Sequence, residues 1–548
     1  MLSQAALVAL AALWLIKALV SRALAIRAAI RSLRAPYGAF HILNPFHTPA
    51  MLAGPWFPSA PQIGSWYSGF LPYAKLGTTC IGAVTRTGIA VHWFSDAKSI
   101  QFIASNPSIF QKDIAAYKPL NFYGENIVGT EGSDWRRHRR IAKPAFSEAG
   151  HALVWKETLR IANEWFADLD ARFDLLVNTE TDFAQTTLLI ISSAGFGRRA
   201  SWHDDGVPAP GHALGFRQAV FEAVRHLQTK VLTPGWLYAL SERVYVPLVG
   251  RVVRDTQAAY DALRVHMLEL VGLARAWVVD GKKIDSGAEA GLLRNLVEAN
   301  MDVPEGGDLG QRALTEDELL SDMFTFLLAG HETTAHTLAF AAAYLALYPD
   351  IQRKIYEETV ALWPDGVPNS ASASSYQDLG RLPYTLAVFH ETLRHFPAIV
   401  RLAKMVCADS VVPAYRFDSL LDATEIKIPL TAGGIVMLDI RALHYNPLHW
   451  GTDADEFKPE RFIDTESYKW PREAFAAFSA GPRSCIGQRF AVTEGVGLLA
   501  CLVRTYELAV PQRLRALSPS EQRKEMLAWR PGVTMSPSNA FVQLTKRK

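Results

Sequence analysis

From Thr315 to Leu347 the chain is apolar on almost every face of a helix. That is about 33 residues, or roughly 50 Å at 1.5 Å per residue. Thr315-x-x-Glu318 reads as a capping box at its start, and Pro349 stops it. A helix apolar on most faces crosses a core instead of coating one, so any fold of this chain must bury it along most of its length. Its middle breaks the pattern, as Ala329-Gly-His-Glu-Thr-Thr334. Glycine inside a helix costs about 1 kcal/mol, and an acid with two hydroxyls is costly in apolar surroundings unless they find partners. A use offsets the cost. Ala329 and Gly330 let a flat group pack against the helix, Thr333 can bond a helix carbonyl or a ligand, and Glu332 can relay protons from solvent.

A second short stretch demands chemistry, Phe478-Ser-Ala-Gly-Pro-Arg-Ser-Cys-Ile-Gly487. Cys485 lies just before an apolar helical pattern, Gln488 to Leu502. Free N–H groups at a helix start acidify a thiol and make it a ready metal ligand. Gly481 permits a tight turn, and Gly487 allows a flat cofactor close to the backbone. Arg483 can pair with a carboxylate on that cofactor. Phe478 can keep water from the sulfur. The four cysteines, Cys80, Cys407, Cys485 and Cys501, are far apart with no C-x-x-C pair, which argues against zinc, c-type haem attachment and a disulfide scaffold. Cys501 reads as core. A net charge of +2 gives no field for nucleic acid, and 49% hydrophobic residues supply a large core.

Three further motifs fall in a fixed order. Trp135-x-x-x-Arg139 spans one helical turn. Glu391 and Arg394 stand at i and i+3 in Val388-Phe-His-Glu-Thr-Leu-Arg394, and Phe457-Lys-Pro-Glu-Arg-Phe462 supplies Arg461. Together with the helix and the cysteine loop, these motifs make the chain resemble the cytochrome P-450 family of haem-thiolate monooxygenases over nearly its whole length beyond the N-terminus. The resemblance implies a mainly α fold with a small β-rich lobe. It implies haem b on the thiolate of Cys485, with Trp135, Arg139 and Arg401 toward the propionates. Glu332 and Thr333 correspond to the pair that steers protons during oxygen activation, and Thr333 matches the family position better than Thr334. His331 has no assigned role. Glu391, Arg394 and Arg461 correspond to a buried structural network. Ala398, Ile399 and Val400, with Pro531 to Met535, are candidates to line the substrate pocket. Length alone suggests about three or four domains; the motif order favours one catalytic unit.

The implied activity inserts one oxygen atom from O2 into a lipophilic small molecule, such as a terpenoid, sterol, fatty acid or aromatic. The resemblance is closest in feel to fungal members that tailor secondary metabolites. The implied partner is NADPH-cytochrome P-450 reductase, with cytochrome b5 as a second candidate donor. Arg136, Arg137, Lys143 and Arg489 are candidates to dock an acidic reductase. Two rival readings are a haem-thiolate isomerase or dehydratase that needs no reductase, and a non-enzymatic haem sensor.

Ala5 to Val20 is apolar apart from Lys17, and with Leu2, Ser3 and Gln4 it reaches the roughly 20 residues a membrane helix requires. Basic residues follow at Arg22, Arg27, Arg31 and Arg34, which places the bulk of the chain on the cytosolic side. Ala23-Leu-Ala25 would suit a cleaved signal, but no charged region precedes the apolar run. The expected organisation is an anchor over 1–22, a basic, proline-containing hinge over 23–50 and the catalytic domain over 51–548, held at the endoplasmic reticulum membrane. Ile26 to Leu33 is expected along the bilayer surface. Val279 to Leu314 reads as an exposed connector, Ile89 to Trp93 as β-rich, Ile426 to Val436 as strand–turn–strand, and Gly532 to Leu544 as a hairpin.

Overall fold

The computed structural model describes residues 4–41, 69–172, 175–204, 208, 210–243, 249–280, 291–302, 313–368, 375–419, 422–532 and 534–547. The expected hinge beyond His41, positions 281–290 and 303–312 of the expected connector, and Val533 lie outside the described residues. The chain divides into two units, each assembled from separated segments. One comprises Met1–Ala116, Ile399–Phe457 and Trp470–Cys485; the other comprises Tyr117–Ala398, Lys458–Lys469 and Ile486–Lys548. The single stretch expected over 51–548 is therefore shared between them.

The first unit carries the β-rich part. Its six-stranded sheet runs in the order Tyr37–His41, Cys80–Thr85, Ala90–Phe94, Ile435–Asp439, Arg401–Val406 and Phe110–Gln111. The strand expected near Ile89 to Trp93 is the third of these. Ile426 to Val436 does give two strands with a turn, Gly433 supplying a φ of +85°. They do not pair with each other. Asp422–Leu430 folds back on Ser410–Ser419, whereas Ile435–Asp439 enters the large sheet between Ala90–Phe94 and Arg401–Val406. All five residues of Ile435–Asp439 are buried, while the preceding strand alternates toward solvent, and a strand buried on both faces belongs inside a sheet.

One helix, Gln4–Ser32, covers the expected anchor from Gln4 onward and continues past position 22. No Pro or Gly interrupts it before Pro36, and Arg and Ala favour helix. Its stretch Ala9–Ser32 is long and apolar enough to cross a membrane. Leu13, Trp14 and Leu19 are exposed. The last two turns behave differently. Ala29 is buried, and Ala25 and Leu33 lie against Gly88 and Gly82 of the sheet region. The stretch Ile26 to Leu33, helical through Ser32, thus lies against the sheet region.

The second unit is built around the central helix, Glu316–Leu347. Its capping box forms as expected: Glu318 N–H donates to Thr315 Oγ1 at 3.1 Å, and Thr315 N–H donates to Glu318 Oε2 at 2.9 Å. Pro349 ends this helix and opens the next, Pro349–Leu362, where its missing N–H costs nothing. The central helix packs on Thr179–Phe196, where Thr187 Oγ1 donates to the carbonyl of His331 at 3.0 Å. Cys501 is fully buried in Gln488–Thr505.

Two expectations give way here. The connector Val279 to Leu314 contains a helix, Gly291–Met301, that buries Leu292, Leu293, Leu296 and Val297. The pattern i, i+1, i+4, i+5 makes one apolar stripe, short enough to be lost among polar neighbours. The C-terminal hairpin is Trp529–Pro531 against Met535–Pro537. The following strand, Phe541–Lys546, leaves it to sit between Tyr506–Ala509 and Leu176–Asn178.

Candidate active site

In the first unit the cysteine loop is tightly folded. Cys485 N–H donates to Phe478 O at 2.9 Å, Ser479 N–H to Ala476 O at 2.8 Å, and Ser484 N–H to Gly481 O at 3.0 Å. Gly481 has a φ of +69°, and a Cβ there would stand 2.5 Å from the carbonyl oxygen of Ala104. Only glycine meets both demands. Ser479, with a φ of 64°, is the one non-glycine residue with positive φ among the described residues. Such backbone strain clusters where a loop is held for function. Cys485 carries an exposed thiol, while Phe478 and Arg483 are half-buried. Gly487 caps the helix Gln488–Thr505 with an ordinary φ of −88°.

Arg401 opens its strand opposite Asp439 in the sheet register. Asp439 is buried, accepts from Tyr73 Oη at 3.1 Å and from Ala442 N–H at 3.0 Å, and burial pushes its carboxyl up to about 6.

In the second unit the central helix is buried on either side of its odd segment, and part of that segment opens. Leu327 and Ala335 are buried, whereas Ala329 is exposed and Gly330, Glu332 and Thr333 are half-buried. Gly330 does not present its bare face there: a Cβ would meet Ile191 at 3.1 Å, so its smallness serves helix packing. Ala329 is the small residue that is left exposed there. Thr333 Oγ1 donates to Ala329 O at 2.9 Å. Thr334, by contrast, is buried and faces Glu494, a fully buried acid that burial holds neutral. Glu332 accepts from Thr534 at 3.1 Å, and desolvation pushes its carboxyl up to about 7. His331 is buried with Nδ1 2.6 Å from Leu327 O.

Trp135 and Arg139 share one face of Gly132–Ala142, the guanidinium carbon 5.7 Å from the ring centroid. Two of the three residues between them, Arg137 and His138, hold this helix to the central one. Arg137 is buried, donating to Glu318 at 2.6 Å and to Ala313 O at 2.8 Å. That removes Arg137 from the proposed reductase-docking surface. Arg136, Lys143 and Arg489 remain exposed. His138 lies 2.6 Å from Asp322; burial opposes its charge, but Asp322 and Glu318 raise its pKa to about 9.

Glu391 accepts from Arg394 at 2.7 and 2.9 Å and from Lys458 N–H at 2.8 Å, with Arg461 3.8 Å away. Burial would raise its pKa, but Arg394 and His395 more than offset it, to about 2. The motif extends beyond its sequence pattern. Arg394 also lies 2.7 Å from His395 Nε2, and His395 Nδ1 is 3.0 Å from Tyr344 on the central helix.

An exposed thiol in a constrained loop suits a haem iron; in the other unit the central helix leaves Ala329 exposed beside a hydroxyl and a carboxyl. The two units thus hold the parts of a haem-thiolate oxidoreductase. The family model described as Cytochrome P450 matches residues 88–537, and the chain belongs to that family. Cytochrome P450 monooxygenase 124 of Postia placenta is 35% identical over 84% of this chain and 83% of its own length. Cytochrome P450 monooxygenase prx9 of Penicillium rubens is 24% identical over 88% and 84%. Ganoderic acid synthetase of Ganoderma lucidum is 28% identical over 78% and 80%. The chain is accordingly an oxidoreductase of the monooxygenase class, with haem b as cofactor and a cysteine thiolate as ligand. Family membership also implies a redox partner and a lipophilic substrate.

Proposed function

We propose that this enzyme hydroxylates or epoxidises an apolar, terpenoid-like molecule in secondary metabolism. On this reading it works at the endoplasmic reticulum membrane, drawing electrons from NADPH-cytochrome P450 reductase, with cytochrome b5 as an alternative donor. The observation that carries the reading is the strained loop holding Cys485 exposed in a chain of this family. The likeness to ganoderic acid synthetase supports the substrate class, and the apolar helix Ala9–Ser32 supports the membrane.

When bound, haem supplies the oxygen-activating chemistry, made effective by thiolate donation. The chain's own groups do the rest. Cys485 would bind the iron. Arg483, Arg401, Trp135 and Arg139 would hold the propionates, and Phe478 and Gly487 would shape the surroundings of the sulfur. Thr333 is the hydroxyl of the oxygen-activating pair, because Thr334 is turned to Glu494. Glu332, with a pKa near 7, both holds and releases a proton at neutral pH. Arg136, Lys143 and Arg489 dock the reductase, so electron delivery slows as salt rises.

Reduced protein exposed to carbon monoxide shows the strongly red-shifted Soret band of sulfur ligation, and Cys485→Ser abolishes it. A band at the position given by a nitrogen ligand would overturn the assignment. Screening terpenoids, sterols, fatty acids and aromatics for substrate-induced spectral shifts identifies the substrate class. Turnover without NADPH would instead favour the isomerase reading.

A further inference from the structure

Glu332 is joined to the surface of its unit by other side chains. Its Oε1 accepts from Thr534 Oγ1 at 3.1 Å. The same hydroxyl lies 3.0 Å from His336 Nδ1. On the far side of the ring, Nε2 is 3.9 Å from Glu180 Oε1, an oxygen that Arg530 also binds at 2.5 Å. Thr534 and His336 are buried, Glu180 is partly exposed and Arg530 is exposed. The path therefore leads from solvent to the acid of the central helix.

The proton inventory orients the path at rest. A threonine hydroxyl has one proton, and here it is given to Glu332. His336 Nδ1 must then donate to the threonine oxygen, which leaves a lone pair on Nε2 facing Glu180 and Arg530. The ring is neutral: burial first, then Arg530 and His331, push its pKa down to about 3. The 3.9 Å gap exceeds a direct hydrogen bond and suits one bridging water. Each donor thus points inward.

We propose that His336 and Thr534 are a proton relay between the Glu180–Arg530 surface pair and Glu332. The proposal rests on the reading that Glu332 supplies protons to oxygen activation. In one pass, a proton from solvent adds to His336 Nε2 as Nδ1 gives its proton to the Thr534 oxygen, and the Thr534 proton passes to Glu332. One proton leaves solvent and one arrives on the carboxylate. No bond between heavy atoms changes and no electron moves. A turn of the hydroxyl and of the ring then restores the starting order. His336 and Thr534 are positioning and transfer groups; Glu332 is the residue they serve.

The test follows the carboxyl of Glu332 by infrared difference spectroscopy of the full-length holoenzyme. Its C=O band is assigned by its loss in Glu332→Gln. After mixing into D2O, hydrogen–deuterium exchange of that band slows tenfold or more in His336→Gln and in Thr534→Val, and recovers in Thr534→Ser, which keeps the hydroxyl. An intact reduced carbon monoxide band in each variant shows that the fold holds. Exchange at the wild-type rate in His336→Gln or Thr534→Val, or slow exchange in Thr534→Ser, overturns the relay. A separate measurement judges the reading beneath it: peroxide released per NADPH, with reductase and lauric acid as the probe. If Glu332→Gln leaves that ratio unchanged, the role of Glu332 fails. If Glu332→Gln raises it while the two relay variants do not, the relay alone fails.

Discussion

His138 shows how one side chain can escape a sequence reading while shaping a site. In Trp135-Arg-Arg-His-Arg139 the outer pair is legible from its spacing, and the inner residues look like a solvated basic face. Burial against Glu318 and Asp322 reverses that, because those carboxylates lie 181 and 184 positions away and no local pattern signals them. The same holds for Thr534 and His336, which meet across 198 positions, and for Ser479, whose strain is a property of the folded loop. Cys485, Glu332 and Thr333 were legible because each is chemically out of place in its own neighbourhood. The pKa of His138, raised to about 9, makes a prediction. Its folded value lies above the unfolded one of about 6.5, so its contribution is fully present below pH 6.5 and is lost as pH rises through 9. The shift corresponds to something on the order of 3 kcal/mol. The gap in thermal stability between wild type and His138→Gln should shrink between pH 6.5 and 9.5, which melting curves across that range measure. A gap independent of pH would show that the pair is not charged.

At the scale of elements, helix ends with local chemistry were legible and elements defined by distant partners were not. The capping box and Pro349 fix the central helix at both ends from sequence alone. The helix Gly291–Met301 and the strand Phe541–Lys546 owe their places to Leu and Val contacts made elsewhere in the second unit. The capping box is measurable. Thr315→Ala should cost about 1 kcal/mol in denaturant titration; the bond from Thr315 N–H to Glu318 persists in the variant, so the loss stays modest. The network on Pro383–His395 is a larger matter. In Glu391→Ala, Arg394 loses its carboxylate with no exposure to water, and stranding a buried charge costs about 3–5 kcal/mol. The helix also reaches the central helix through His395 and Tyr344, so the damage spreads beyond the pair. Purified Glu391→Ala should carry little haem by pyridine haemochrome assay. Full haem content with unchanged stability would remove the structural role.

For the whole molecule, the N-terminal helix joins a stretch long and apolar enough to cross a membrane to a folded sheet, and its two ends differ in what surrounds them. Leu13, Trp14 and Leu19 expose apolar surface, and about 20 residues of such helix match the bilayer core. Beyond Arg22 the same helix docks: Ala25 lies against Gly88, Ala29 is buried and Leu33 lies against Gly82. The sequence placed the change of role near position 22 from its arginines, yet it could not show that the backbone stays helical through it. Two truncations separate the roles. Removing residues 1–22 deletes the apolar span and keeps the docked turns. That protein should leave phosphatidylcholine vesicles for the soluble fraction in a flotation assay, with its reduced carbon monoxide band and melting temperature close to wild type. Removing residues 1–34 also strips Ala25, Ala29 and Leu33 from the sheet. Burying one aliphatic side chain is worth about 1.5–3 kcal/mol, so the second truncation should melt several degrees lower. If both truncations melt alike, the last two turns carry no packing energy, and the helix is an anchor along its whole length.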